Sequence, residues 1–343
     1  MKQHLALSLG SLLCLGSQAM ALPQASQSHT THVSSKAKAA VLQTQRLAKQ
    51  GHAEAQYALG LMHYHGKGLP KNFEEAWSWF LKAAEQNHAP AQYNLGVMRD
   101  RGEGVAKDFK QAVTWYKKAA GQNHARAQYN LGVSYASGEG VPRNVEQAVA
   151  WYTKAAQQGH VLAQLEVGLA FYHGKGSPQD FEHAQAWLHK AAEQGNAKAQ
   201  YSLGVMHHQG QGLAQNAKEA SAWFLKAANQ GYAKAQFNLG VMHDKGEGVA
   251  KDFKQAAAWL EKAARQGHAK AQHNLGTLHA SSQGVLHDKA LAYTWFECAA
   301  RQGFEPSIKA RERLLEGMEE ETLQRAQELL LEVCQGGAAG TEG

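Results

Sequence analysis

Nineteen histidines are the residues of this chain most able to do chemistry, because imidazole can ligate metals, shuttle protons or cap helices. Nine of them fall in two series, His52, His88, His124, His160 and His268, and His63, His207, His243 and His279. Within each series the separations are multiples of 36 residues. A metal site needs ligand atoms about 2 Å from one ion. Side chains in equivalent places on stacked helices are on the order of 10 Å apart, so neither series can converge on one ion. Only His63/His65 and His207/His208 are local pairs, and neither has a third ligand nearby in sequence. No metal and no cofactor is expected; the expectation is imidazole capping of helix ends.

Other signs of catalysis are equally sparse. The chain has no His-Glu-x-x-His, no phosphate-binding Walker loop, no nucleophile elbow and no Cys-x-x-Cys. Ser35-x-x-Lys38 matches a short motif of serine β-lactamases, but it lies where a leader meets the folded part and is taken as chance. No catalytic residue is assigned, and the chain is expected not to be an enzyme. Of the three cysteines, Cys14 follows Leu13 where a lipidation signal needs a small residue. Cys298 and Cys334 remain, and in an oxidising compartment a disulfide tying the array to its C-terminal cap is one outcome; two free thiols or intermolecular pairing are the others.

The elements that position these residues are set by the same 36-residue beat. AEAQYALG from Ala53 returns as APAQYNLG from Ala89, ARAQYNLG from Ala125, VLAQLEVG from Val161, AKAQYSLG from Ala197, AKAQFNLG from Ala233 and AKAQHNLG from Ala269. Tryptophan keeps step from Trp79 to Trp295. A fixed period in this range is the mark of a solenoid, in which neighbouring units bury a common core. The fold class is therefore all-α, an α-solenoid of seven 36-residue repeats over 53–304.

Each repeat reads as two helices. In the first, Ala55, Gln56, Leu59 and Gly60 share one side of a 3.6-residue period. A glycine inside a helix costs roughly 1 kcal/mol, so it implies close approach of a neighbour; the paired alanines of the second helix, such as Ala83-Ala84, are the expected matching surface. The loop carries Gly-x-Gly, and Asn72, Asp108, Asn144, Asp180, Asn216, Asp252 and Asp288 stand as N-caps of the second helices. Glu75, Gln111, Gln147, Glu219 and Gln255 complete a capping-box pattern. Tryptophan, burying roughly 150–250 Å², is expected to be the largest contributor to each core.

Outside the array the reading changes. Residues 1–21 combine Lys2, the apolar run Leu5 to Leu15 and Ala19-Met20-Ala21, the pattern of a secretory signal peptide. Residues 22–35 are read as a flexible leader, 36–52 as an N-terminal capping helix, 305–334 as C-terminal capping helices and 335–343 as a disordered tail. The expected location is outside the cytosol, periplasmic or secreted, with no stable membrane insertion. The formal charge of +6 is concentrated in the repeats. Much of it is one lysine per repeat, Lys82, Lys118, Lys154, Lys190, Lys226 and Lys262, read as a solvated face whose stems cover apolar neighbours. No nucleic-acid partner is expected.

The unit A-x-A-Q-x-x-L-G-x-M-x-x-x-G-x-G-V-x-x-D-x-x-x-A-x-x-W-x-x-K-A-A-x-x-G-H resembles the Sel1-like repeat, a relative of the tetratricopeptide repeat. The likeness covers 53–304, with departures at Val167, Ser177 and Ser282. It implies a right-handed superhelix of antiparallel helix pairs with a concave binding face, and for exported bacterial members a role in envelope complexes or at the host interface.

Function then belongs to the positions that vary. On the first helices these are Glu54, Pro90, Arg126, Leu162, Lys198, Lys234 and Lys270 at one level, and Ala58, Asn94, Asn130, Glu166, Ser202, Asn238 and Asn274 four residues on. Asparagines there can donate to and accept from the backbone of an extended peptide, or simply be solvated. Leu162, Leu165 and Phe171 make the fourth repeat more apolar, either as the centre of a protein contact or as a repacked core. The expected partner is a protein or peptide on the concave face; the alternative is a periplasmic cell-wall protein, peptidoglycan-associated or β-lactamase-like.

Overall fold

The computed structural model describes residues 27–333, with side chains from residue 37 onward. Residues 1–21, 334 and the tail 335–343 lie outside this range, and with them the signal-peptide, Cys334 and tail expectations. The described residues form seventeen helices and no strand, and the class is an all-α solenoid. The chain divides into two compact units: residues 1–91 with 103–106, and residues 92–102 with 107–343.

The smaller unit contains the N-terminal helix Gln27–Lys49 and the first repeat, helices Ala53–His65 and Phe73–Glu85. Ala48 of the N-terminal helix is buried in one cluster with Ala55 and Leu59, as a capping second helix requires. The helix starts at Gln27, inside the stretch expected to be a flexible leader. Neither glycine nor proline interrupts 27–49, and lengthening an established helix adds one hydrogen bond per residue fixed.

In the larger unit the same pair recurs, from Ala125–Ser137 with Val145–Gln157 through Ala269–Ser281 with Lys289–Ala300. It closes with Glu305–Leu315 and Glu320–Val333, the two expected capping helices. Each second helix starts at its expected N-cap: the Asn72, Asp108, Asn144, Asp180, Asn216, Asp252 and Asp288 side chains all accept from the backbone N–H three residues on. The capping box is only half realised. The N-cap N–H donates to a backbone carbonyl nine residues back, as Asn144 does to Tyr135 at 2.8 Å, so the loop itself satisfies that donor.

The loop glycines have two separate reasons. The first ends the helix in the left-handed region, where Ser282 stands in at φ 57° in the last repeat. The second is steric as well: a Cβ on Gly140 would collide with the carbonyl of Phe109, so the loop of one repeat rests on the start of the preceding second helix.

Two packing expectations need correction. The side chain at the centre of each core is the one after the tryptophan, Phe80, Tyr116, Tyr152, Leu188, Phe224, Leu260 and Phe296, all buried. Trp79, Trp115, Trp151 and Trp187 are only half-buried, while Trp223, Trp259 and Trp295 are buried in the core clusters as expected. That following side chain also explains the mid-helix glycine. A Cβ on Gly60 would stand 2.5 Å from Phe80 Cδ1, and one on Gly132 2.6 Å from the Tyr152 ring. The glycine therefore admits a large side chain from the second helix rather than meeting the paired alanines. In the first four repeats one residue further round the helix was enough to exchange the roles of tryptophan and its neighbour, because both are large and apolar; in the last three both are buried.

Candidate partner-binding face

Ala55, Gln56, Leu59 and Gly60 of the first helix and their copies are buried toward the second helices. A side chain two residues into the first helix lies on the opposite side of the turn. Glu54, Arg126, Leu162, Lys198, Lys234 and Lys270 are accordingly exposed there, Leu162 at 45%. Four residues on, Asn94, Asn130, Glu166, Asn238 and Asn274 are half-buried.

These half-buried side chains are neither fully solvated nor free of structural duties. Asn130 lies beside the Tyr116 hydroxyl and Asn238 beside that of Tyr201. Burial pushes both phenols up, and the amides offset part of the shift. Burial also pushes the Glu166 carboxyl above the usual carboxylate range, with Lys198 pulling the other way.

The apolar group in the fourth repeat separates. Leu165 is 4% exposed and belongs to the core with Leu188 and Leu203, and Phe171 packs on that same core. Leu165 thus belongs to the repacked core, Phe171 is half-buried against it, and Leu162 is the exposed member of the group. The reason lies in an aromatic ladder that breaks at this point. Tyr93 lies against His124 at 5.0 Å, Tyr129 against His160 at 4.6 Å, Tyr201 against Tyr232 at 5.1 Å and Phe237 against His268 at 4.6 Å. The equivalent pair in the fourth repeat is Leu165 and Asn196. Leu165 fills the space of a missing ring.

Four of the five histidines of the first series cap the first helices; His52 stands at the N-cap without a side-chain bond. Nδ1 of His88, His124, His160 and His268 accepts from the N–H three residues on, at 3.2 to 3.3 Å, and Asn196 Oδ1 does the same at 2.9 Å. Among the described residues no three His, Cys, Asp or Glu come together in a way that could hold a metal. Ser35 and Lys38 fall within the N-terminal helix. Cys298 is buried and disulfide-bonded, while Cys334, its expected partner, lies outside the described residues.

The periodic lysines do more than cover apolar surface with their stems. Each ammonium sits over the tryptophan three residues earlier, Lys154 at 4.0 Å from the Trp151 ring and Lys226 at 3.8 Å from that of Trp223. A second series of bonds has no counterpart in the sequence reading. Nε2 of Gln122, Gln158, Gln194, Gln230, Gln266 and Gln302 donates to Oε1 of the buried Gln92, Gln128, Gln164, Gln200, Gln236 and Gln272 at 2.7 to 2.8 Å. The signal was present, since these glutamines keep the 36-residue beat, but glutamine is common on helix surfaces and the pairing spans 30 residues.

Nearly every repeated polar residue is thus occupied by the fold, and the variable, exposed side chains collect on the first helices. Fold and face together define a helical-repeat array of the scaffold type. The chain belongs to the Sel1 repeat family, which matches it in seven consecutive blocks, 53–88, 89–124, 125–160, 161–196, 197–232, 233–268 and 269–304. Sel1 repeat proteins are generally non-catalytic scaffolds for protein–protein interaction. The crystal structure of a Sel1 repeat protein from Oxalobacter formigenes is similar at 31% identity and a TM-score of 0.63, covering 71% of this chain and 96% of that one. That of a protective antigen present in uropathogenic Escherichia coli strains is 29% identical with a TM-score of 0.49, covering 88% of this chain and 80% of the antigen. No curated protein matches the chain. No helix among the described residues is long and apolar enough to cross a membrane.

Proposed function

We propose that this chain is an exported, non-enzymatic scaffold that holds a protein or peptide partner along the face of its first helices, the concave side expected of such an array. The observation that carries this reading is the division of labour within the repeat: the fixed residues pack, cap and bridge, while the second residue of each first helix is variable and, from Arg126 to Lys270, exposed. Leu162 supplies an apolar point at the middle of that row, and Asn94, Asn130, Glu166, Asn238 and Asn274 supply polar groups about one turn further along. Export rests on the sequence of residues 1–21, and a periplasmic or secreted setting follows from it, with an envelope or host protein as partner.

The test is site-specific photocrosslinking in live cells. A photoreactive residue at position 162 or 234 is expected to give discrete protein adducts, and one at position 218 or 254 on the second helices is expected to give none. Adducts from the second-helix positions alone would overturn the reading.

A further inference from the structure

Lys198, Lys234 and Lys270 occupy the same place, second in the first helix, in three consecutive repeats of the larger unit. All three are exposed, and none forms an ion pair among the described residues. They differ in this from the second-helix lysines, whose charge is already placed over tryptophan. Two of them share a neighbourhood: Lys270 and Lys234 both add to the burial that holds His268 below the usual imidazole range. Asn238 and Asn274 stand one turn below on the same helices.

In the C-terminal cap the counterpart of Lys270 is Pro306, and cations return further along the helix. Lys309 and Arg313 follow His273 and Thr277 by 36 residues, so the helix Glu305–Leu315 keeps the register of a first helix. These four side chains, with Phe296 and Glu305, line a cavity of about 700 Å³. Lys198, Lys234 and Lys270 make up the row and Lys309 and Arg313 line the cavity beyond it, with Glu166 beside one end and Glu305 at the other.

We propose that repeats five to seven and the cap form a docking surface for an extended acidic protein segment carrying a carboxylate at every third residue. The inference rests on the peptide-binding reading above and names the chemistry of the partner. Equivalent side chains on stacked repeats lie on the order of 10 Å apart. A polyproline II segment advances about 3.1 Å per residue, so every third side chain returns to the same side after about 9 Å. A β-strand, with same-face side chains about 6.8 Å apart, would fall out of register. A nucleic acid is a poorer fit, because its phosphates are more closely spaced and its bases need exposed rings on which to stack. Here the rings of Tyr201 and Phe237 are already packed against Tyr232 and His268.

The experiment is fluorescence anisotropy on the full mature chain with labelled fifteen-residue peptides. One probe repeats Glu-Ala-Pro, a second repeats Gln-Ala-Pro, a third carries the same number of glutamates at every second residue, and a single-stranded oligonucleotide of matched charge completes the set. The period-three acidic peptide is expected to bind about tenfold tighter than the other three probes, the combined effect of three exposed ion pairs of ordinary strength. The triple variant Lys198→Ala/Lys234→Ala/Lys270→Ala, whose fold is checked by circular dichroism, should lose that margin. An unchanged margin in the triple variant, or equally tight binding of the oligonucleotide, overturns the proposal. Equal binding of the Glu and Gln peptides that is abolished in Asn238→Ala/Asn274→Ala also overturns it, while leaving the peptide-face reading standing.

Discussion

Gln158 Nε2 donates to Gln128 Oε1 at 2.7 Å, and Gln128 Nε2 in turn donates to the carbonyl of Ala120 at 3.3 Å. A buried amide on a first helix is thereby joined to the end of its own repeat and to the second helix of the preceding one. Repetition of this arrangement makes neighbouring repeats report on each other, which is the basis of cooperativity in a stacked array.

Gln128→Leu removes that connection and strands polar partners at a buried position. It should cost about 1–3 kcal/mol. Gln158→Ala, on an exposed residue, should cost less than half as much. Urea unfolding followed by circular dichroism distinguishes the two, and equal costs would show that the buried amide has no special weight.

Glycine substitutions should divide by location. At Gly132 a Cβ would lie 2.6 Å from the Tyr152 ring, a packed side chain with nowhere to move, so Gly132→Ala should destabilise by about 1–3 kcal/mol despite the gain in helix propensity. At Gly121, the last residue of its helix, nothing lies within 4 Å, and Gly121→Ala should stabilise by up to about 1 kcal/mol. Thermal melts of the two variants should move in opposite directions.

Stability should fall as pH drops from 7.5 to 5.5. Burial and Arg126 hold His160 below the usual imidazole range, and burial, Lys270 and Lys234 do the same for His268. Between each lowered folded value and the unfolded value near 6.5 the unfolded chain binds more protons, so stability rises with pH there and levels off above 6.5. Protonation would also remove the Nδ1 lone pair that caps the helix. His160→Asn/His268→Asn keeps the cap in the manner of Asn196 and removes the titration. It should flatten the slope while leaving stability at pH 7.5 within about 1 kcal/mol. Glu166, raised by burial, acts in the opposite sense and is the same in both proteins, so the difference between their slopes isolates the histidines.

Cys298 takes the slot that lysine fills beside tryptophan in the six earlier repeats, three residues after Trp295, and it is buried. The proposed partner is Cys334. Peptide mapping of exported protein without reductant should yield a linked Cys298–Cys334 fragment. Two alkylatable thiols at these positions would end the proposal.

The sequence by itself determined the number of repeats, the two helices in each, every N-cap of the second helices and the glycines of the loop. These depend on contacts within a few residues, and a 36-residue period multiplies each signal seven times. It also reached the exposed row through Lys198, Lys234 and Lys270 by treating variation as the place where function lies. Only the tertiary structure decided which large side chain fills the core, because Trp79 and Phe80 are adjacent and helix rotation distinguishes them. It alone placed Leu165 inside and Leu162 outside, joined Gln128 to Gln158, and gave His160 and His268 their rings to stack on. Those outcomes depend on how one repeat is rotated and seated on the next, a relation that no single repeat contains.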